Sequence, residues 1–430
     1  MPFEQTNNAP KSIAIIGGGI SGMGAAYKLA PTNRVVLFEA EAQIGGHART
    51  RRVGNDTVDT GFIVFNYANY PNMTALFDEL GVQVEKSDMS FGASINGGAF
   101  EYGLAGVGAV FAQKRNILRP AYWRMIRDVI HFNKYALEAS KEPGLTVSGL
   151  MDKLGMGRLF RKYYLLPLSG AIWSTPIEKI GDFPAYAMLQ FFENHALLHH
   201  TGQHQWYTVT GGSRQYVDKL EAALIGRGVD IRVQAPVQAV HRQADGVQVV
   251  SHDGSSEHFD EVIFATHTDV TLSLLADPTE QEAEIFNNFK YQPNKVVLHT
   301  DASIMPKRRA IWSSWNYTEA DGKATDQIDL TYWMNSLQPW LKGEDIFVTL
   351  NSTRQIDPSK IYDEVTLHHP VYDEAALDAQ RLAAHINGEN NTWFCGAWMK
   401  NGFHEDGLSS AYDVADAILS RATELTVAAE

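Results

Sequence analysis

The segment SIAIIGGGISGMGAAYKLA (12–30), followed by VVLFEA (35–40), constrains the fold more than any other stretch of the chain. Residues 12–16 read as a buried strand, 22–29 as a helix and 34–38 as a second strand. Gly17, Gly19 and Gly22 lie between the first strand and the helix at the spacing G-x-G-x-x-G. Gly17 permits the tight turn, Gly19 lets a pyrophosphate approach the backbone, and Gly22 lets helix and strand pack closely. The helix start, with Ile20 and Ser21, offers free N–H groups and a partial positive charge to phosphates. Glu39 ends the second strand beside Ala40, where its carboxylate can accept ribose hydroxyls and would repel a 2′-phosphate. A dinucleotide other than NADP is expected.

Four hundred and thirty residues suffice for two domains, and 44% hydrophobic with 20% charged residues is the make-up of a chain with a large core. The single cysteine, Cys395, excludes an internal disulfide and reads as a small packing residue. A formal net charge of −14 argues against nucleic acid as a partner. No apolar run is long enough to span a membrane, and 1–11 lacks the apolar core of a secretory signal. A cytoplasmic location is therefore expected, with peripheral contact at the inner face of the cytoplasmic membrane as its variant.

Charge is unevenly placed. Residues 101–163 hold eleven Lys or Arg against five Asp or Glu, reversing the sign of the whole. Within 111–134, basic residues alternate with apolar ones, and Tyr122, Met125 or Ile126, and Ile130 share a helical stripe. Two readings stand: a cap helix packed on the core, or a helix resting on an anionic membrane.

Further motifs narrow the cofactor. After Glu39 comes AEAQIGGHART, with Gly45, Gly46, His47, Arg49 and Thr50; mid-chain stands VTGGS (209–213); near the end stand FCGAW (394–398) and GFHEDGLSSAYDVADAI (402–418). Together these resemble the flavin amine oxidase superfamily, which includes monoamine oxidases, protoporphyrinogen oxidase and phytoene-type desaturases. His47 departs from the pattern, standing where Arg is commonest. The resemblance implies an α/β fold: a Rossmann-like FAD-binding domain of the GR2, amine oxidase-like type, interleaved with an α+β cap. The FAD domain is expected from 1–95, 205–290 and 385–430, and the cap from 96–204 and 291–384. It also implies that the Gly45–Thr50 loop runs beside FAD, that the Val237 backbone holds the adenine, and that Gly396, Gly407 and Leu408 meet the flavin end. A helix start there can stabilise negative charge on the reduced ring.

The same resemblance points to Lys295, which starts a strand about where monoamine oxidases carry a lysine. Its alternative is a surface lysine at a strand edge. His404, Glu405 and Asp406 precede the flavin-facing helix, one of them as candidate base or hydrogen-bond partner of the ring, with capping by Glu405 or Asp406 as the alternative. Asp59 reads as structural. His195, His199, His200 and His204 form two i, i+4 pairs without a clear carboxylate partner, so no metal is expected and the histidines are read as lining a passage or closing the cap. Trp312, Trp315, Tyr317, Tyr332, Trp333, Trp340 and Trp398 are expected to wall an apolar tunnel.

The GGH variant, the LHTDASIMPKRRAIWSSWNY block (298–317) and the WFCGAW and GFHEDG pieces occur together. That combination resembles bacterial FAD-dependent fatty-acyl desaturases of furan fatty acid formation. It implies dehydrogenation of a methyl-branched, unsaturated acyl chain of a membrane phospholipid to a conjugated diene, and so a lipid-like substrate. An FAD-dependent amine, carotenoid or porphyrin oxidase is the alternative within the enzymes. A non-redox lipid carrier of the GDP-dissociation-inhibitor type is the alternative outside them.

Overall fold

The computed structural model describes residues 10–173, 177–198, 203–319 and 328–429, with side chains to 421. His199 and His200 lie outside the described residues. The opening motif folds as expected: strand Ser12–Ile16, helix Ile20–Leu29, strand Arg34–Phe38. Five parallel strands form one sheet in the order Asp230–Arg232, Arg34–Phe38, Ser12–Ile16, Glu261–Phe264, Thr392–Phe394. Both faces of this sheet are covered, which is why its strands are almost continuously apolar. Ile13 and Ile15 enter a core with helices Ile20–Leu29 and His404–Ala429; Ala14 and Ile16 enter another with a three-stranded sheet and helix Glu374–His385.

The second region is a seven-stranded sheet ordered Ile361–Val371, Lys290–His299, Phe347–Leu350, Leu330–Trp333, Trp315–Glu319, Phe91–Ile95, Phe100–Gly103. Helices between Pro120 and Asn194 pack on the face that carries Val296, Leu298, Tyr317, Leu330 and Val348. Two expected boundaries move. Phe91–Ile95 pairs in parallel with Trp315–Glu319 and so joins the cap sheet, while Glu374–His385 packs with Val237, Phe264 and Phe394 beside the five-stranded sheet.

Helix Pro120–Ala139 buries Tyr122, Met125, Asp128, Phe132 and Ala136 at spacings of three and four. Each large apolar side chain there contributes roughly 1.5–3 kcal/mol. The packed-cap reading of this stripe therefore holds; of the stripe residues, Ile130 alone is exposed. The seven aromatics do not form one wall either. Trp315, Tyr317, Tyr332 and Trp340 border the cap core, Trp312 and Trp333 stack edge-on across the opposite face with Phe347, and Trp398 packs on Phe286 and Phe289 in a different core. Successive strand residues point to opposite faces, so Tyr332 and Trp333 cannot share a wall.

Candidate functional site

Two helix starts meet at the carboxyl edge of the five-stranded sheet, where ligands bind in open α/β sheets. Helix Ile20–Leu29 begins after the glycine loop and helix His404–Ala429 crosses it. Gly24 gives room for Leu408 and Gly407 for Ser21: a Cβ on either glycine would stand 2.5 Å from Leu408 Cδ1 or 2.8 Å from Ser21 Oγ. Ile20, Ser21 and Leu408 are buried in this crossing, so their backbones rather than side chains remain to serve a ligand.

The glycine loop behaves as its spacing requires. Gly17 has φ +106° and donates its N–H to the Phe38 carbonyl. A Cβ on Gly22 would lie 1.9 Å from the Gly17 carbonyl oxygen, so only glycine fits. A Cβ on Gly19 would meet nothing within 4 Å, leaving a backbone face that a pyrophosphate can approach. Glu39 accepts the Gly18 and Glu41 N–H groups, both at 2.8 Å. Each carboxylate oxygen keeps a lone pair for a ribose hydroxyl. Gln234 and Ala235 donate to the Glu41 and Glu39 carbonyls, drawing buried Val237 alongside Glu39 and Ala40.

The second glycine pair folds back onto the first. Gly45 donates to the Gly18 carbonyl, and a Cβ on Gly46 would come 3.1 Å from Gly19 Cα. His47 follows, its Nε2 buried without a hydrogen-bond partner. Around it stand His369 and His267, with ring centroids 5.8 and 6.0 Å away. His267 stacks on Tyr291, and His369 Nδ1 accepts from Asn294. His404 stacks on Phe62 and its Nε2 meets the Tyr216 hydroxyl at 2.5 Å. Burial lowers the pKa of His47, of His267 to about 4, and of His369 and His404 to about 3, with neighbouring histidines adding to the effect. At neutral pH this is a wall of uncharged imidazoles and aromatic rings.

The remaining expectations divide. Arg49 forms a two-pronged ion pair with Asp363 and donates to Thr60, pinning the glycine loop to the cap sheet. Thr50 donates to Asp59 and accepts from Arg214 N–H, so its hydroxyl is used within the protein. Asp59 is structural: it binds Ser213, Thr50 and Gln338, and burial raises its pKa to about 6. Gly396 donates to Ser410 Oγ, tying the last strand to helix His404–Ala429.

Lys295 and Glu405 are corrected. On Lys290–His299, the residues Asn294, Val296 and Leu298 face inward, so Lys295 points outward, its side chain 60% exposed and 3.2 Å from Glu364. It lies on the sheet face opposite the histidines. Glu405 is buried and receives Asn72 N–H, Asn72 Nδ2 and Met73 N–H, all within 2.9 Å. It closes the start of helix Pro71–Leu80, whose first N–H groups have no partner within the helix. Asp406 holds the preceding turn through Asn401 and Phe403.

The sequence reading missed His267, His369, Phe62, Tyr216 and Asp363. His267 follows the Glu261–Phe264 strand at the sheet's carboxyl edge, a position where a polar residue signals a ligand site. His195 stacks on Phe191, which in turn stacks on Phe403, closing the cap beside the site. Among the described residues, no group of His, Cys, Asp and Glu has the arrangement of a metal site.

The geometry fits FAD: an open glycine backbone, a ribose-directed carboxylate, an unpartnered buried imidazole and two convergent helix starts. The family model for flavin containing amine oxidoreductase matches residues 20–419. Coproporphyrinogen III oxidase of Mycobacterium tuberculosis is 38% identical over 77 residues, 17% of each chain. Protoporphyrinogen oxidase of Homo sapiens is 25% identical over 307 residues, 62% of this chain and 61% of that one. These matches span less than two thirds of either relative. A crystal structure of a fatty acid isomerase from P. acnes superposes with a TM-score of 0.69 at 14% identity, covering 95% of this chain and 98% of that one; this likeness is one of fold.

Proposed function

Because the chain belongs to the family of flavin-containing amine oxidoreductases, we propose that it is an FAD-dependent oxidoreductase that dehydrogenates an apolar substrate, a methyl-branched unsaturated acyl chain, to a conjugated diene. When bound, FAD supplies a hydride acceptor at N5. The observation that carries this reading is the uncharged wall of His47, His267, His369, His404, Phe62 and Tyr291. A cationic amine would call for an open carboxylate or a pair of facing aromatic rings. Asp59, Glu405 and Asp406 are each engaged by N–H or hydroxyl donors, and Asp363 by Arg49. An acyl chain needs neither charge nor counter-ion.

His404, held by Phe62 and Tyr216, orients the start of its helix toward the flavin end. The Tyr216 hydroxyl and His404 Nε2 share a hydrogen bond of 2.5 Å that fixes the ring. His47 Nε2 is buried in this wall without a hydrogen-bond partner, and this reading assigns it the proton released from the substrate. Residues 403 and 191, stacked with centroids 5.0 Å apart, exclude water on the cap side.

The human protoporphyrinogen oxidase match supports a second reading, a polyene or tetrapyrrole substrate, which the same apolar wall would accept. Incubation of the FAD-loaded protein with methyl-branched unsaturated phospholipid, followed by mass spectrometry of the released acyl chains, separates the two. A mass loss of two hydrogens with a diene absorption band is expected. Unchanged acyl chains together with oxidation of a porphyrinogen would replace the first reading by the second.

A further inference from the structure

We propose that the loop 104–108 and the residues 117–123 form a docking surface for an anionic phospholipid bilayer. The structure relocates the membrane-facing groups from the helical stripe, which is buried, to this neighbouring platform. Residues 104–108, LAGVG, are exposed without interruption, with Val107 77% and Leu118 84% exposed. Ile117, Leu118 and Trp123 line a shallow groove of about 510 Å³ that also contacts Arg124 and Arg127, and Trp123 packs on Phe111, which ends the helical turn Val107–Val110 rising from the loop. Contiguous exposed apolar area of this kind marks a protein or membrane contact.

The platform is anchored from behind. Phe111 packs on Trp123 and Tyr122, the Tyr122 hydroxyl donates to the Val110 carbonyl, and buried Asn116 donates to the Glu101 carbonyl. Trp123 Nε1 donates to the Ile117 carbonyl at 2.8 Å. Its indole N–H is thus satisfied before the ring enters an apolar phase, removing the cost of burying an unpaired donor.

Charge selects the occupant. From 102 to 127 the chain contains Lys114, Arg115, Arg119, Arg124 and Arg127 and no Asp or Glu, within a protein of net charge −14. Buried Asp128 is shared by Arg124 and Arg127, leaving that trio positive. A second copy of this acidic chain would be repelled at long range, whereas an anionic leaflet attracts the cations while the apolar tips insert. This inference does not require the acyl substrate of the proposed function, because adsorption is measured without turnover.

Sedimentation of the full FAD-loaded chain with phosphatidylglycerol–phosphatidylcholine vesicles tests it. Binding is expected at low salt, weakening by at least about tenfold on pure phosphatidylcholine or when Lys114→Glu and Arg119→Glu are combined. Val107→Asp with Leu118→Asp is expected to abolish binding while the flavin band and circular dichroism are unchanged. Wild-type sedimentation by that double variant would overturn the proposal, as would absence of binding to either vesicle. A concentration-dependent dimer dissolved by the same substitutions would overturn it in favour of a second copy.

Discussion

The imidazole of His404 lies flat on the ring of Phe62, centroids 4.1 Å apart and planes 10° from parallel, while its Nε2 meets the Tyr216 hydroxyl. This stack ties the start of the last helix to the segment after strand Asp56–Asp59, where the Phe62 N–H donates to the His47 carbonyl. Its consequence is electrostatic: a burial-lowered pKa near 3 keeps the ring neutral in the folded chain.

That pKa predicts the pH dependence of His404→Phe. Below about pH 6.5 the unfolded chain protonates this histidine and the folded chain does not, so the wild type loses stability as pH falls toward 3, by at most about 1.4 kcal/mol per pH unit. The phenylalanine variant lacks this loss. Denaturant melts at pH 7 and pH 4.5 are expected to shift in the variant's favour at the lower pH; a constant difference would mean that His404 titrates alike in the folded and unfolded chain.

Gly19 and Gly22 are expected to fail differently. Gly19→Val leaves the apoprotein within about 1 kcal/mol of wild type, since its Cβ meets nothing within 4 Å. It blocks the approach of the pyrophosphate, so bound flavin should fall by at least about tenfold. Gly22→Ala forces a Cβ against the Gly17 carbonyl and is expected to cost about 3 kcal/mol of stability. A Gly19→Val protein that purifies fully yellow would contradict the assignment of the loop.

Removal of Glu405 is a matter of stability. Glu405→Ala strips acceptors from Asn72 and Met73 and is expected to cost about 2–4 kcal/mol, Glu405→Gln about half of that. At a temperature where both variants are folded, anaerobic flavin reduction should proceed within about threefold of wild type, whereas loss of a general base costs about a hundredfold or more.

Lys295→Met tests the outward-facing lysine. An exposed pair with Glu364 contributes little, and stability is expected to change by no more than about 0.5 kcal/mol. Flavin reduction should stay within about twofold; a drop of a hundredfold would place Lys295 back in the chemistry.

The dinucleotide loop was legible because its information is local: Gly17, Gly22 and Glu39 serve a turn, a close approach and a strand end within thirty residues. The facing of Lys295 was not, since an extended strand has two faces and its partner, Ile361–Val371, begins more than sixty residues later. Glu405 resembled a base or a cap of its own helix because its receptor, the start of helix Pro71–Leu80, lies more than three hundred residues away. The histidine wall draws His47, His267, His369 and His404 from four distant segments that only the tertiary fold joins. For helix Pro120–Ala139 the apolar stripe was visible, but periodicity does not say whether protein or lipid covers it.

The most direct test follows the visible absorption of the bound flavin under anaerobic conditions during addition of methyl-branched unsaturated phospholipid. Stoichiometric bleaching, without bleaching by primary amines, is the predicted result. A flavin that stays oxidised with the lipid and bleaches with an amine would contradict the account.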